Sequence, residues 1–246
     1  MRIIRSTVVV SAVVALAVGG LAGCNDDSEK SNASKDAKAL AGDALDLLRK
    51  ADDVRVIGGG DNEGKKQDVD LCLRGADSQG TMKIDGSAVD VIEIGPVMYM
   101  KGNAAFWIKT MPPAPNANAM GKLIEGKYVK ISYDDDPESG PGSTLGSLFE
   151  GSPDGVSKGE VVTIDGKKLI PLSKTNKSGN LVTVHVPERG RPFPTLVKVT
   201  GKTNLTMKFS RSGKKCTPAV PPADQVIDPA TLDGETPAAP AAPTPA

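Results

Sequence analysis

The strongest constraint on this chain is its punctuation. Residues 54–58, 67–74, 80–85, 88–94, 97–101 and 105–109 are short runs that predict strands. Turn chemistry separates them: Gly58-Gly59-Gly60-Asp61-Asn62, Gly75-Ala76-Asp77, Asp85-Gly86, Gly95-Pro96 and Gly102-Asn103. Asp-Gly is favoured in the tightest hairpins because both central residues need positive φ. Links this short force successive strands antiparallel, since a parallel return needs a crossover of a dozen residues or more. Val69, Leu71 and Leu73 alternate with Asp68, Asp70, Cys72 and Arg74, giving one apolar and one mostly wet face.

A second series, 160–164, 167–173, 181–186, 195–200 and 204–210, repeats the pattern, with Asp165-Gly166 as its first turn. Between the two series Met111-Pro112-Pro113-Ala114-Pro115 breaks the sheet. Residues 117–124 predict a short helix, 128–133 a strand, and 144–150 a helical piece capped by Ser143. The clearest helix covers 36–51, where Ala37, Leu40, Ala41, Ala44, Leu47, Leu48 and Ala51 recur at three- and four-residue spacing. Ser34 or Asp36 can accept hydrogen bonds from its first amides. About eleven or twelve strands and one strong helix are expected, in one domain, because no internal repeat divides the chain.

The ends are different. Met1-Arg2-Ile3-Ile4-Arg5 carries two cations, an apolar run follows from Val8 to Val18, and small residues lead to Leu21-Ala22-Gly23-Cys24. That order is a secretory signal. A spanning helix needs ~20 apolar residues, more than this run supplies. Leu21-Ala22-Gly23-Cys24 fits the bacterial lipobox, so residues 1–23 are read as a lipoprotein signal and Cys24 as the site of lipid attachment. Residues 24–35 are expected to be a polar, flexible tether, 36–233 the folded domain, and 234–246 a disordered Pro/Ala-rich tail. The expected location is the outer face of a cell membrane, held by the lipid.

Arg2 and Arg5 leave with the first 23 residues and no acid does, leaving 28 basic against 30 acidic residues. With no basic block and only 3% aromatic residues, the chain lacks the charged face and stacking rings of a nucleic-acid binder. Once Cys24 is lipidated, Cys72 and Cys216 remain in an oxidising compartment. A disulfide between them is expected, with two separate buried thiols as the alternative.

Groups suited to catalysis are few. His185 is the only histidine, and alternation along Leu181-Val182-Thr183-Val184-His185-Val186 puts it beside Thr183, opposite the valines. That pattern predicts a surface histidine rather than a general base. Gly142-Ser143-Thr144-Leu145-Gly146 has the wrong order for a nucleophile elbow. No phosphate loop and no His/Cys set at metal spacing is present. Asp134-Asp135-Asp136-Pro137-Glu138 lacks the EF-hand spacing and reads as a solvated loop. Gly58-Gly59-Gly60 has no helix start after it to hold a phosphate and reads as a hairpin turn. No catalytic residue, cofactor or metal is expected. Met82, Met98, Met100, Met111, Met120 and Met207 fall in or beside the sheet. Methionine suits variable apolar partners, and it equally fills gaps in an ordinary core.

Several stretches carry a resemblance: the lipobox, the helix end Ala44-Leu45-Asp46-Leu47-Leu48-Arg49-Lys50-Ala51, and the run from Gly80-Thr81-Met82 to Phe106-Trp107. Within that run Ile94-Gly95-Pro96-Val97-Met98-Tyr99-Met100-Lys101-Gly102 and Ala105-Phe106-Trp107 are the most telling. Val161-Val162-Thr163-Ile164-Asp165-Gly166, Gly190-Arg191-Pro192-Phe193-Pro194 and Pro221-Pro222-Ala223-Asp224-Gln225-Val226 add to it. The chain resembles actinobacterial lipoproteins of the LppX and LprG type, relatives of the LolA carrier fold. The resemblance implies an α+β fold, an unclosed half-barrel of strongly curved antiparallel sheet with helices on its concave face. It also implies a cleft for acyl chains and movement of lipids through the envelope, with no catalytic motif. Leu71, Leu73, Met82, Ile84, Val91, Met98, Met100, Leu148 and Phe149 are the candidate lining. The expected partners are a lipid or acylated ligand and the membrane, with the protein itself a monomer. A non-binding interaction or sensing lipoprotein of the same fold, its cleft filled by its own side chains, is the alternative.

Overall fold

A computed structural model describes residues 30–110, 116–132 and 152–229. Residues 1–23, expected to be a signal, Cys24, the expected tail at 234–246, the expected helical piece at 144–150, the acidic run at 134–138, Leu148 and Phe149 lie outside them.

Helix α1 (Ala37–Arg49) opens the domain. Asp36 caps it, its carboxylate accepting from the Ala39 amide at 2.9 Å. Leu40, Ala41, Ala44, Leu45 and Leu48 form its buried face. Five strands follow in a meander: β1 (Val54–Asn62), β2 (Lys65–Arg74), β3 (Asp77–Ile84), β4 (Ser87–Ile94) and β5 (Val97–Lys101). Next come α2 (Ala104–Thr110), α3 (Ala117–Leu123) and β6 (Tyr128–Ser132). The second series is β7 (Ser157–Lys158), β8 (Val162–Ile164), β9 (Lys167–Thr175), β10 (Leu181–Pro187), β11 (Leu196–Thr200) and β12 (Thr203–Arg211). A 3-10 turn, Ala223–Gln225, leads to β13 (Val226–Ile227).

All thirteen strands among the described residues join one sheet, ordered β13-β6-β5-β4-β3-β2-β1-β12-β11-β10-β9-β7, with β8 also on β9. Its ends do not meet, and helices lie on its concave side, so the architecture is the α+β half-barrel. Every pairing is antiparallel except β13 with β6. Nothing in the sequence points to that exception. It arises because the chain after β12 crosses the convex face to the far edge and so reaches β6 from the opposite end. One edge of the sheet is the two-residue β13 and the other the short pieces β7 and β8 of two and three residues, which offer little template for pairing with another chain.

Two expectations change here. Residues 105–109, read as a strand, are helical in α2. Asn103 accepts from the Phe106 amide at 2.8 Å, which starts a helix, and Phe106 and Trp107 are then buried together on one side. The Gly58-Gly59-Gly60 run is not a turn but part of β1. The turn comes later, at Glu63 (φ 53°) and Gly64 (φ 84°), and has the same positive-φ pair as Asp85-Gly86 and Asp165-Gly166. Glu-Gly gives a weak signal in the sequence because Glu is a poor turn former beside Asp or Asn.

The glycines serve the sheet's curvature. A Cβ on Gly58 would lie 2.7 Å from the Met207 Cα and even closer to the Thr206 carbonyl oxygen of β12. One on Gly59 would strike Asp68, one on Gly60 the Asn204 carbonyl, and one on Gly80 the Asp70 carbonyl. These positions cross β1 and β3 in the middle of the strand order, where neighbouring backbones approach too closely for any side chain. The sheet can therefore bend there.

The core splits at that bend. On one limb α1 packs with Val54, Val56, Leu71, Leu73, Ile170, Leu172, Val182, Val184, Val186, Val197, Met207 and Phe209. On the other, α2 and Ile124 at the end of α3 pack with Val89, Val91, Met98 and Val129. Met82 touches both groups.

Cys72 and Cys216 are bonded, Cα to Cα 5.7 Å, across 144 residues. Cys72 points to the convex face, because Leu71 and Leu73 on either side of it point to the core. The bond thus fixes the crossing segment, whose start is also held by the Ser212 amide on the Asp53 carbonyl and the Cys216 amide on the Asp52 carbonyl, both 2.7 Å. Its far end is held by Lys130 on Asp228, 2.8 Å.

Residues 30–35, expected in the tether, are docked on the domain. Asn32 is 1% exposed, and its amide group donates to the carbonyls of Pro187 (3.0 Å) and Gly190 (2.9 Å). A buried amide with two acceptors placed for it holds a chain far better than composition suggests.

Two outcomes are expected in urea unfolding. Gly58→Ala should cost about 2–4 kcal/mol, because backbone rather than a movable side chain occupies the space. Gly64→Ala, with open space but positive φ, should cost only about 1 kcal/mol. Replacing Cys72 and Cys216 together by serine should remove about 3–5 kcal/mol and expose residues 212–226 to limited proteolysis while the α1 limb stays protected.

Candidate functional site

The concave face is built by register. Gly58, Val69, Met82 and Val89 stand opposite one another across β1 to β4, and Gln67, Ile84 and Ser87 form the next row. Val91 and Met100 pair on β4 and β5, as do Glu93 and Met98.

The candidate lining residues divide into three groups. Leu71 and Leu73 are buried beneath α1, and Val91 and Met98 beneath α2 and α3. Met82, Ile84 and Met100 are only partly buried. Leu148 and Phe149 lie outside the described residues. Val69 and Val199, missing from the expected set, are also partly buried against the α1 core. Period-two alternation identifies the concave face correctly but says nothing of which part of it a helix covers. Val69, Met82 and Ile84 form a half-open apolar strip at the bend, between the two helix-covered limbs.

Two polar groups sit in this apolar surface. Glu93 is 3% exposed on the concave side, and the Ser78 hydroxyl donates to its carboxylate at 3.2 Å. Alternation with Val89 and Val91 in the sequence is enough to place it there. Trp107 is 7% exposed in the same core, its ring edge-on to Phe106 with centroids 4.9 Å apart, and its indole N–H has no acceptor among the described residues. Leaving such a donor buried and unpaired costs about 1–3 kcal/mol.

The convex face carries a depression of about 560 Å³ over β1 to β4, bounded by Tyr128 and Ser212. Its charges satisfy one another. Arg55 grips Asp70 through two bonds of 2.9 and 2.7 Å, which holds the Asp70 carboxyl below its usual range. Lys101 meets Asp90 at 3.0 Å and lies 4.7 Å from the Tyr128 ring centre; the Asp90 bond raises its pKa. A floor so paired offers little to an apolar ligand. No three His, Cys, Asp or Glu side chains gather to hold a metal among the described residues.

His185 needs a correction. It is on the convex face with Thr183 as expected, yet it is 5% exposed. It pairs across the sheet with Pro171 on β9 and Leu196 on β11. Asp165, at the tip of the β8–β9 hairpin, reaches Lys208 on β12 at 2.9 Å, so the hairpin leans back over that row and covers it. A strand pattern cannot show that a later hairpin folds over its wet face. Burial pushes the His185 pKa down, opposed by a hydrogen bond with the Leu196 backbone and reinforced by Lys198.

No family model and no curated protein matches the chain. Solved structures of similar shape exist. A conserved, uncharacterized protein from Thermus thermophilus superposes with a TM-score of 0.45 at 8% identity, over 78% of this chain and 98% of that one. The Mycobacterium tuberculosis lipoprotein LppX is another. It gives a TM-score of 0.42 at 14% identity, over 74% of this chain and 98% of LppX. The Pseudomonas aeruginosa MucA/MucB complex gives 0.36 at 10% identity, over 77% of this chain and 59% of that one. At such values these likenesses assign neither a family nor a chemistry to this chain.

The pH dependence of stability follows from His185. Its folded pKa lies below the ordinary value of 6.5. As pH falls through about 6.5 the unfolded chain takes up a proton that the folded protein resists, so stability drops below that pH. Urea midpoints measured from about pH 7 to about pH 5 should fall for the natural chain, and His185→Gln should flatten that part of the slope.

Proposed function

We propose that this protein is a lipid-anchored lipoprotein of the LppX/LprG type that holds a lipid or acylated molecule on the concave side of its sheet. The supporting observation is the strip of Val69, Met82 and Ile84, left half-open between the α1 limb and the α2–α3 limb. An acyl chain laid along it gains about 0.8 kcal/mol for each buried CH₂. Lipid on Cys24, exposed after removal of residues 1–23, keeps the domain at the outer face of the membrane. Two or more acyl chains hold such an anchor for long periods. The protein binds and passes on its ligand without chemical change.

The second reading, a sensing or interaction protein with a self-filled cleft, is favoured by the burial of Leu71, Leu73, Val91 and Met98 under its own helices.

The mature chain carrying Cys24→Ser should release lipid on organic extraction and take up a fluorescent fatty-acid analogue. Met82→Glu should weaken that uptake by about ten-fold or more, since a carboxylate in an apolar slot carries a large desolvation penalty, while circular dichroism stays native. No extractable lipid together with no uptake would leave the second reading in its place. Mass spectrometry of the membrane-extracted natural chain should show loss of 23 residues and gain of a diacylglyceryl group.

A further inference from the structure

His185 is a buried titratable group that binding on the concave side does not use. Leu196 stands beside it on β11, and Leu169 lies diagonally across on β9. Both leucines are buried, 5% and 4% exposed, although they belong to the outer face of the sheet. Val162 and Ile164 on β8 are partly buried and stand opposite Leu169 and Lys167 in the β8–β9 hairpin. We propose that the tip of this hairpin, residues 160–168, is a latch released by acid: protonation of His185 lifts it off the convex face and uncovers the apolar row beneath.

The site suits the neutral ring. The imidazole bonds to the Leu196 backbone, while its Nδ1 is buried with no partner among the described residues. A proton added there turns a bare acceptor into a donor with nothing to bond, and it places a charge in an apolar surround. The described neighbours supply no counter-ion. β11 brings Lys198, whose positive charge acts on the ring. β12 brings Lys208 and Arg211, β9 Lys167, Lys168 and Lys174, and β7 Lys158. Of the acids, Asp165 is held by Lys208 at 2.9 Å, and Glu160 is exposed. Glu188, Arg189 and Arg191 follow β10 in the next loop, and none of the three acts on the ring.

Water reaches the ring most easily from the hairpin side. Behind His185 the neighbouring Val184 and Val186 belong to the core under α1, and on either side β9 and β11 are laddered to β10. The tip is held more lightly. β8 pairs with β9 alone, over Val162–Ile164, and β10 accompanies β9 only as far as Leu169. Its polar fastenings to the body, among the described residues, are the Glu188 amide on the Lys168 carbonyl at 3.0 Å and the Asp165–Lys208 pair. The two side chains of that pair are 70% and 67% exposed, and a pair so exposed contributes little. Lys208 holds the Asp165 carboxyl below its usual range, so the pair stays charged where an imidazole titrates. A response near pH 6 therefore belongs to His185. As pH falls through about 6.5 the open tip gains a proton that the closed one resists, and the open population grows.

The test is amide hydrogen exchange in low concentrations of urea, on the mature chain carrying Cys24→Ser. Tip amides should exchange at a rate that urea does not change, the mark of a local opening. After correction for intrinsic rates they should exchange about ten-fold or more faster at pH 5 than at pH 7. Amides of β1 should keep the steep urea dependence of global unfolding. His185→Gln should abolish the acceleration at the tip. His185 is the only histidine, so its imidazole resonances identify themselves, and their titration midpoint should lie below the ordinary range. Asp165→Asn loosens the latch without touching the imidazole, and asparagine suits the positive φ of that turn. It should raise the midpoint, because opening and proton uptake are linked. Tip amides that exchange only through global unfolding, or an acceleration kept in His185→Gln, would overturn the proposal. So would a midpoint that Asp165→Asn leaves in place, which tests the latch even where His185→Gln does not fold.

Discussion

Close backbone contact between β1 and its neighbours is the constraint on which the rest of this fold depends. Four positions, Gly58, Gly59, Gly60 and Gly80, stand where any Cβ would strike the adjacent strand. The missing side chains let a thirteen-stranded sheet bend sharply in its middle while keeping its ladder of hydrogen bonds. A flatter sheet of this width would need one continuous helical layer to cover it. The bent one divides into two limbs, each covered by a single short helical unit.

That division explains the arrangement of apolar side chains. Core packing is satisfied limb by limb, α1 on one and α2 with α3 on the other, and each helix covers only its own limb. Met82 touches both cores because it stands at the boundary. The half-open strip beside it follows from the curvature and from the limited reach of two helices of 13 and 7 residues. The same geometry gives the convex face its own problem, an extensive outer surface with an exposed far edge. The Cys72–Cys216 bond and the segment after it solve this by crossing the outside and capping β6 with β13. The β8–β9 hairpin does likewise over His185.

Much of the candidate site was legible in the sequence. The alternation of Val69, Leu71 and Leu73, and of Val89, Val91 and Glu93, assigns those side chains to one face because a strand turns its residues over every second position. Whether a residue on that face meets a helix or open space depends on where distant segments come to rest. For that reason Leu71 and Val91 proved to be ordinary core while Val69 stayed partly open. Trp107 shows the same limit. Its burial beside Phe106 depends on the packing of a helix that short-range pattern had assigned to a strand.

The sequence by itself determined the antiparallel order within each meander, the hairpins at Asp85-Gly86 and Asp165-Gly166, and the amphipathic α1 with its Asp36 cap, because each rests on neighbours a few residues apart. Only the tertiary structure decided that Gly58-Gly59-Gly60 bends a strand instead of ending it, that Asn32 clamps the entering chain beside Arg189 and Arg191, and that the segment after β12 pairs in parallel with β6. Those outcomes depend on contacts between residues far apart along the chain, and such contacts leave no periodic trace in it.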